Sequence, residues 1–240
     1  MIDKLVQSHS LAVVLASLVG GMLPAFIWMR FWLSEENRPE PKGLIALTFI
    51  GGMIAVIIAV PLQKIGAHLF PSDMDTILVW AIIEEVLKFL VVFFIAMPSM
   101  HIDEPVDWPI YCVMAALGFA ALENIFFLFK PESLGDSAVM LMTSNLRFLG
   151  STLLHSTASS FIGLMIGLVY YQSKFIKIVS FFIGLILAIT LHGLFNFFII
   201  QDNGENFLQV FAFLWVVTII SILVFEKVRR IGIHESYETE

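Results

Sequence analysis

Two adjacent carboxylates and an ammonium, Glu84, Glu85 and Lys88, lie inside a run from Ile77 to Met97 that is otherwise uncharged. An ionisable group at membrane depth is costly, so it faces a bundle interior, finds a partner and carries function. On a helix Lys88 stands at i+4 from Glu84 and i+3 from Glu85, so one ammonium can hold both carboxylates ionised and close together. Three later apolar runs carry polar residues of their own: Glu123 with Asn124, His155 with Ser159, and His192 with Asn196. Such a set suits two kinds of work. A glutamate can take a proton from water for attack on a peptide carbonyl, with His and Asn donors meeting the oxyanion. Alternatively, the same groups can bind and release cations or protons during transport, although no paired broken helices and no inverted repeat are visible. Glu84, Glu85, Glu123, His155 and His192 are also suitable ligands for a divalent metal such as zinc, a variant of the hydrolytic reaction. No HExxH helix is present to establish a metal. Ser156, Ser159 and Ser160 lack a glycine-flanked nucleophile elbow, which argues against a serine mechanism.

The elements that must position these groups are membrane helices. Hydrophobic residues make up 59% of the 240, charged residues only 14%, and mean hydropathy is +0.92, whereas soluble domains are about a quarter charged. Seven apolar runs, about 10–33, 43–62, 77–97, 109–129, 148–171, 176–200 and 207–225, are long enough to span a bilayer. The expected fold is an all-α, polytopic transmembrane bundle forming one integral membrane domain over 1–240, with the motif-bearing core at 77–200. The first run is too long for a signal-peptide core and lacks a cleavage site. A net charge of −7 and the acidic tail Glu235 to Glu240 offer no surface for nucleic acid. The single Cys112 excludes an intrachain disulfide and reads as a small buried side chain. Trp28, Trp32, Trp80, Trp108, Tyr170 and Tyr171 sit near run ends, where rings of this kind anchor at the headgroups. Eight basic residues (Arg30, Arg38, Lys42, Lys174, Lys177, Lys227, Arg229, Arg230) fall on one side and four (Lys4, Lys64, Lys130, Arg147) on the other. The first side is therefore read as cytoplasmic, with the C-terminus inside and the N-terminus outside. The segment Asp136 to Arg147 reads as an amphipathic helix at the outer interface.

Depth brings the polar residues together. Counted along alternating spans, Glu84, Glu123, His155 and His192 all fall roughly 9 to 12 Å below the same interface, at 1.5 Å per residue. Faces agree: His155, Ser159, Gly163 and Gly167 form one i, i+4 stripe, and Gly184, Ala188, His192 and Asn196 another. Small residues in such stripes let membrane helices approach closely. Read singly, each group has a plain structural role: Lys88 neutralises the glutamates, Ser159 fills space, and an intramembrane His or Asn bonds between helices. Gly51, Ala55 and Ala59 on the second run read as packing.

The Glu-Glu-x-x-Lys of Glu84, Glu85 and Lys88, the Phe-x-x-x-Glu-Asn of Phe119, Glu123 and Asn124, and the later His155 and His192 together resemble the PrsW family of intramembrane proteases, itself similar to the wider CAAX-protease and bacteriocin-immunity superfamily. The likeness covers runs three to six; runs one, two and seven supply only topology. It implies a water-activating carboxylate at Glu84 with Glu85 beside it, Lys88 as charge partner, Glu123 as a second water-holding group, and His192 with Asn196 as an oxyanion-stabilising pair, with His155 at a further position the family needs. Lys88 stands where the prenyl-protease branch has an Arg one residue later, and Glu123 where that branch has a His, so a prenylated substrate is not expected. The resemblance implies cleavage of single-span membrane proteins such as anti-sigma factors near the outer face of the cell membrane. It leaves open whether a metal takes part and which of Glu84 and Glu85 is the base.

Overall fold

A computed structural model of the chain describes residues 11–35, 38–129, 150–201 and 206–238. Among them are seven helices: α1 (Leu11–Ser34), α2 (Lys42–Leu69), α3 (Asp73–Val91), α4 (Asp107–Leu128), α5 (Thr152–Gly167), α6 (Lys174–Gln201) and α7 (Phe207–Glu238). The molecule is a helical membrane bundle, as its apolar runs require. Four helices are long and apolar enough to cross a bilayer: Lys42–Leu69, Asp107–Leu128, Lys174–Ile199 and Leu208–Ile231. α3 falls short on composition because Asp73, Asp75, Glu84, Glu85 and Lys88 all lie on it. Outward-facing aliphatics such as Ile54, Ile57, Ile186, Val216 and Leu223 are exposed; a surface of this kind belongs against lipid tails rather than water. The expected helix from Asp136 to Arg147 lies outside the described residues.

α4 is the central element. Its sequence is apolar on every side, and nearly all of it is buried, the pattern of a helix enclosed by others. α1, α2 and α5 pack around it, and α6 covers α5. The α2–α4 crossing is made by two reciprocal glycines: a methyl on Gly52 would collide with the Ala115 carbonyl, and one on Gly118 with the Phe49 carbonyl. Gly163 lies against Pro109, and a Cβ on Gly184 would stand 2.7 Å from the Phe161 carbonyl oxygen. The small-residue stripes therefore do lie in helix contacts. On the far side of α5, Thr157 and Ser160 meet Thr218 and Ser221 of α7 through hydroxyl pairs at 3.0 and 2.8 Å.

Two expectations change. Trp32 is not a headgroup anchor: it is 1% exposed and packs edge-on against Phe225 of α7. Its ring is enclosed between Phe31 of α1 and Phe225 of α7 instead. α2 does not stop near residue 62 but continues through Pro61 to Leu69. Its last turns run beside α3 with Gly66 buried between them, where a Cβ would stand 2.7 Å from Val79. Ser72 opens α3 by accepting a hydrogen bond from the Asp75 amide at 3.2 Å, and Asp73 and Asp75 suit the positive end of the helix dipole. At the opposite end of the bundle, Tyr111 donates to Glu40 and Arg38 pairs with Glu104 at 2.9 Å. Burial raises the Glu40 pKa above the ordinary carboxylate value, with the Tyr111 hydrogen bond working against the shift.

Candidate active site

α3 presents Glu84, Glu85 and Lys88 on its buried face, all at most 5% exposed as side chains. Helical spacing places the ammonium between the two carboxylates, but not evenly. Lys88 Nζ donates to Glu85 Oε1 at 2.7 Å and lies 3.5 Å from Glu84 Oε2. Its remaining donor reaches across to α5, 2.8 Å from His155 Nδ1, and the ammonium stands 4.5 Å from the centre of the Phe119 ring.

Glu85 is engaged at both oxygens. Oε1 receives Lys88 and His192 Nδ1, each at 2.7 Å, and Oε2 receives the Ser159 hydroxyl at 2.6 Å. Ser159 is thus more than a small packing residue, since it satisfies an ionised group that no water reaches. Glu84 is held differently. Oε1 accepts from the Gln63 carboxamide of α2 at 2.8 Å, and Oε2 stands 3.6 Å from His192 Nε2 and 3.8 Å from His155 Nδ1. Gln63 was not visible as a site residue in the sequence, because a lone amide near the end of an apolar run looks like any interfacial residue. Depth was no signal either, because the apolar run ends at about residue 62; only the continuation of α2 to Leu69 puts Gln63 six residues inside the helix, as Glu123 is five inside α4.

The two imidazoles are oriented by their outer nitrogens. His192 Nδ1 faces Glu85, and His155 Nε2 faces Glu123 Oε2 at 3.1 Å. A carboxylate can only accept, so each of these nitrogens carries the proton. The inner nitrogens, His192 Nε2 and His155 Nδ1, then present lone pairs toward Glu84 Oε2. Three acceptors converge, with all ligand atoms within 4.8 Å of one another. Lys88 supplies a proton to one of them. A cation, or a water donating both protons, suits the rest.

The donor set can be compared with a metal's requirements. Two ligands of a tetrahedral zinc, each about 2.0–2.2 Å from the ion, lie roughly 3.3–3.6 Å apart, close to the 3.6 and 3.8 Å separations from Glu84 Oε2. Each imidazole also has a carboxylate on its far nitrogen, the usual outer support of a histidine ligand. Glu84, His155 and His192 therefore fit a divalent metal. Such an ion would take the His155 lone pair that Lys88 now uses, leaving the ammonium to Glu85 and Glu84.

The remaining expected residues divide. Glu123 is the most open of the acidic set, 22% exposed as a side chain. It reaches Ser151 at 3.5 Å as well as His155. Asn124 turns away from this centre: its carboxamide donates to Thr152 Oγ1 at 2.9 Å and is 3.5 Å from the Gly21 carbonyl, tying α4 to α5 and α1. Asn196, one turn beyond His192 on α6, is half-buried.

The chain matches, over residues 40–224, the family described as PrsW family intramembrane metalloprotease. It is 32% identical over 102 residues to Protease PrsW of Geobacillus kaustophilus, a stretch covering 41% of this chain and 45% of that protein. With Protease PrsW of Bacillus subtilis it shares 23% identity, over 77% of this chain and 84% of that one. The corresponding protein of Shouchella clausii is 24% identical, over 91% and 98%. No solved structure matches the chain.

Proposed function

This chain belongs to the PrsW family of intramembrane proteases, and from that premise we propose that it hydrolyses peptide bonds of single-span membrane proteins, such as anti-sigma factors, with Glu84 as the group that activates water. The observation that carries the reading is the convergence of Glu84 Oε2, His155 Nδ1 and His192 Nε2 on one point, lone pairs inward. Both oxygens of Glu85 are engaged, by three donors between them, whereas Glu84 keeps one oxygen for the centre. That difference favours Glu84 over Glu85 as the base.

A water entering beside Glu123 donates one proton to Glu84 Oε2, and its oxygen attacks the scissile carbonyl carbon. Negative charge moves to the carbonyl oxygen. The half-buried carboxamide of Asn196, and Lys88 once its third donor leaves His155 Nδ1, are the donors proposed to meet it. His192, with its outer N–H held by Glu85, accepts at the centre while neutral; it donates there only when doubly protonated, with Glu85 balancing the charge. The proton held by Glu84 then passes to the leaving nitrogen as the C–N bond breaks, which restores the carboxylate. A divalent metal held by Glu84, His155 and His192 would supply Lewis-acid polarisation and a more acidic water.

Seven membrane spans with the C-terminus cytoplasmic would put this layer in the outer half of the bilayer, so the cut is proposed to fall there. The test is purified protein in proteoliposomes with a membrane-anchored anti-sigma factor, followed by mass determination of the fragments. New termini within the outer half of the substrate's span support the reading. Cuts confined to the soluble part of the substrate contradict it.

A further inference from the structure

Gln63 stands outside every motif of the chain, yet it makes the shortest contact to Glu84, at 2.8 Å. Lys88 is 3.5 Å from the same carboxylate, long against the roughly 2.7–2.9 Å of a charge-assisted bond. Glu84 is therefore held off its best ion pair. Released at Oε1, it would be free to swing onto the ammonium and fill the space between the histidines.

Gln63 is itself fixed from two directions. The Trp80 indole N–H donates to the Gln63 carbonyl at 3.0 Å, and Trp80 lies one helical turn before Glu84 on α3. The two contacts thus clasp α2 to successive turns of α3. Below them Gly66 lets α2 lie against Val79 and Ile83 of α3. Leu62, Lys64 and Ile65 around it are exposed, while Gln63 turns inward. An amide placed this way next to a carboxylate presents Nε2, not Oε1, to it.

We propose that Gln63 is a positioning residue for Glu84: its N–H anchors one carboxylate oxygen so that the other is aimed at the inner nitrogens of His155 and His192. The inference rests on the assignment of Glu84 as the working carboxylate. It is independent of whether the centre holds a metal, because the anchored oxygen is not the one that faces it.

The test compares Gln63→Met, which keeps length and bulk without a donor, with Gln63→His, whose Nε2–H reaches a similar point. Steady-state cleavage in proteoliposomes and melting temperature in detergent are measured for both, with Glu84→Gln alongside. Loss of a supporting hydrogen bond of this kind costs about 10–100-fold in activity. Gln63→Met is expected to lose that much in kcat with KM within about twofold and its melting temperature held, and Gln63→His to recover most of the rate. A purely structural role predicts the reverse order, with the apolar isostere tolerated and the imidazole not. Wild-type kcat in Gln63→Met, or losses in both variants that follow a fall in melting temperature, would overturn the proposal. A Glu84→Gln protein that still cuts would instead remove the assignment on which it rests.

Discussion

Glu84 and Glu85 are the same side chain at consecutive positions, and the fold gives them opposite surroundings. Glu85 receives Lys88, His192 and Ser159 and behaves as a fixed anion that orients its neighbours. Replacing it by Gln leaves Lys88 and His192 facing a neutral amide in a dry interior; breaking a buried pair in this way costs about 3–5 kcal/mol. Glu85→Gln is therefore expected to lower both activity and thermal stability in detergent, whereas Glu84→Gln removes activity with stability kept. Equal stability of the two variants would contradict this division. Ser159→Ala removes one donor from a buried carboxylate and is expected to cost about 1–3 kcal/mol by the same assay; an unchanged melting temperature would return Ser159 to a space-filling role. The shared depth of Glu84, Glu123, His155 and His192 was legible by counting residues along alternating runs. Which imidazole nitrogen faces inward was not, because it depends on Glu85 and Glu123 reaching the outer nitrogens from other helices. Asn124 shows the same limit: its neighbour Glu123 points to the layer, but a helical step of one residue turns the amide toward Thr152 and Gly21.

At the scale of the element, helix existence was written in the apolar runs and helix ends were not. α2 outlasts its run where Gly66 packs against α3 and Gln63 reaches Glu84, tertiary contacts no local pattern carries. That extension is what brings a seemingly topological helix to the candidate site. α7 is attached to α5 by the Thr157–Thr218 and Ser160–Ser221 pairs. Interhelical hydrogen bonds of this kind contribute about 0.6 kcal/mol each on average and up to about 1.7. The double variant Thr218→Val with Ser221→Ala is thus expected to lose about 1–3 kcal/mol of stability while its cleavage rate at a temperature well below melting stays near wild type. A large rate loss at intact stability would place α7 in the mechanism. Gly118→Leu should be far worse, since its side chain would enter the Phe49 backbone at the α2–α4 crossing; the measurement is the yield of folded, monodisperse protein.

For the whole molecule, the exposed aliphatic flanks and the buried polar layer are two sides of one design: lipid faces apolar surface, and Glu84, Glu85, Lys88, His155 and His192 are enclosed by helices. Composition made this legible; orientation rests on the asymmetry of basic residues alone. Pro71, between α2 and α3, and Asp103, before α4, lie at opposite ends of the bundle and both are exposed. Cys112 is buried and can remain as background. A membrane-impermeant maleimide applied to intact cells is expected to label Pro71→Cys and not Asp103→Cys; the opposite pattern would invert the topology and put the layer in the inner half. The central claim is that Glu84 activates water for peptide hydrolysis within the membrane. Its most direct measurement is cleavage of a membrane-anchored anti-sigma factor in proteoliposomes by wild type and Glu84→Gln, each with and without a strong chelator. The account predicts fragments from wild type and none from Glu84→Gln, with zinc-reversible loss on chelation if Glu84, His155 and His192 work through a metal. Cleavage by Glu84→Gln at the wild-type rate would contradict it.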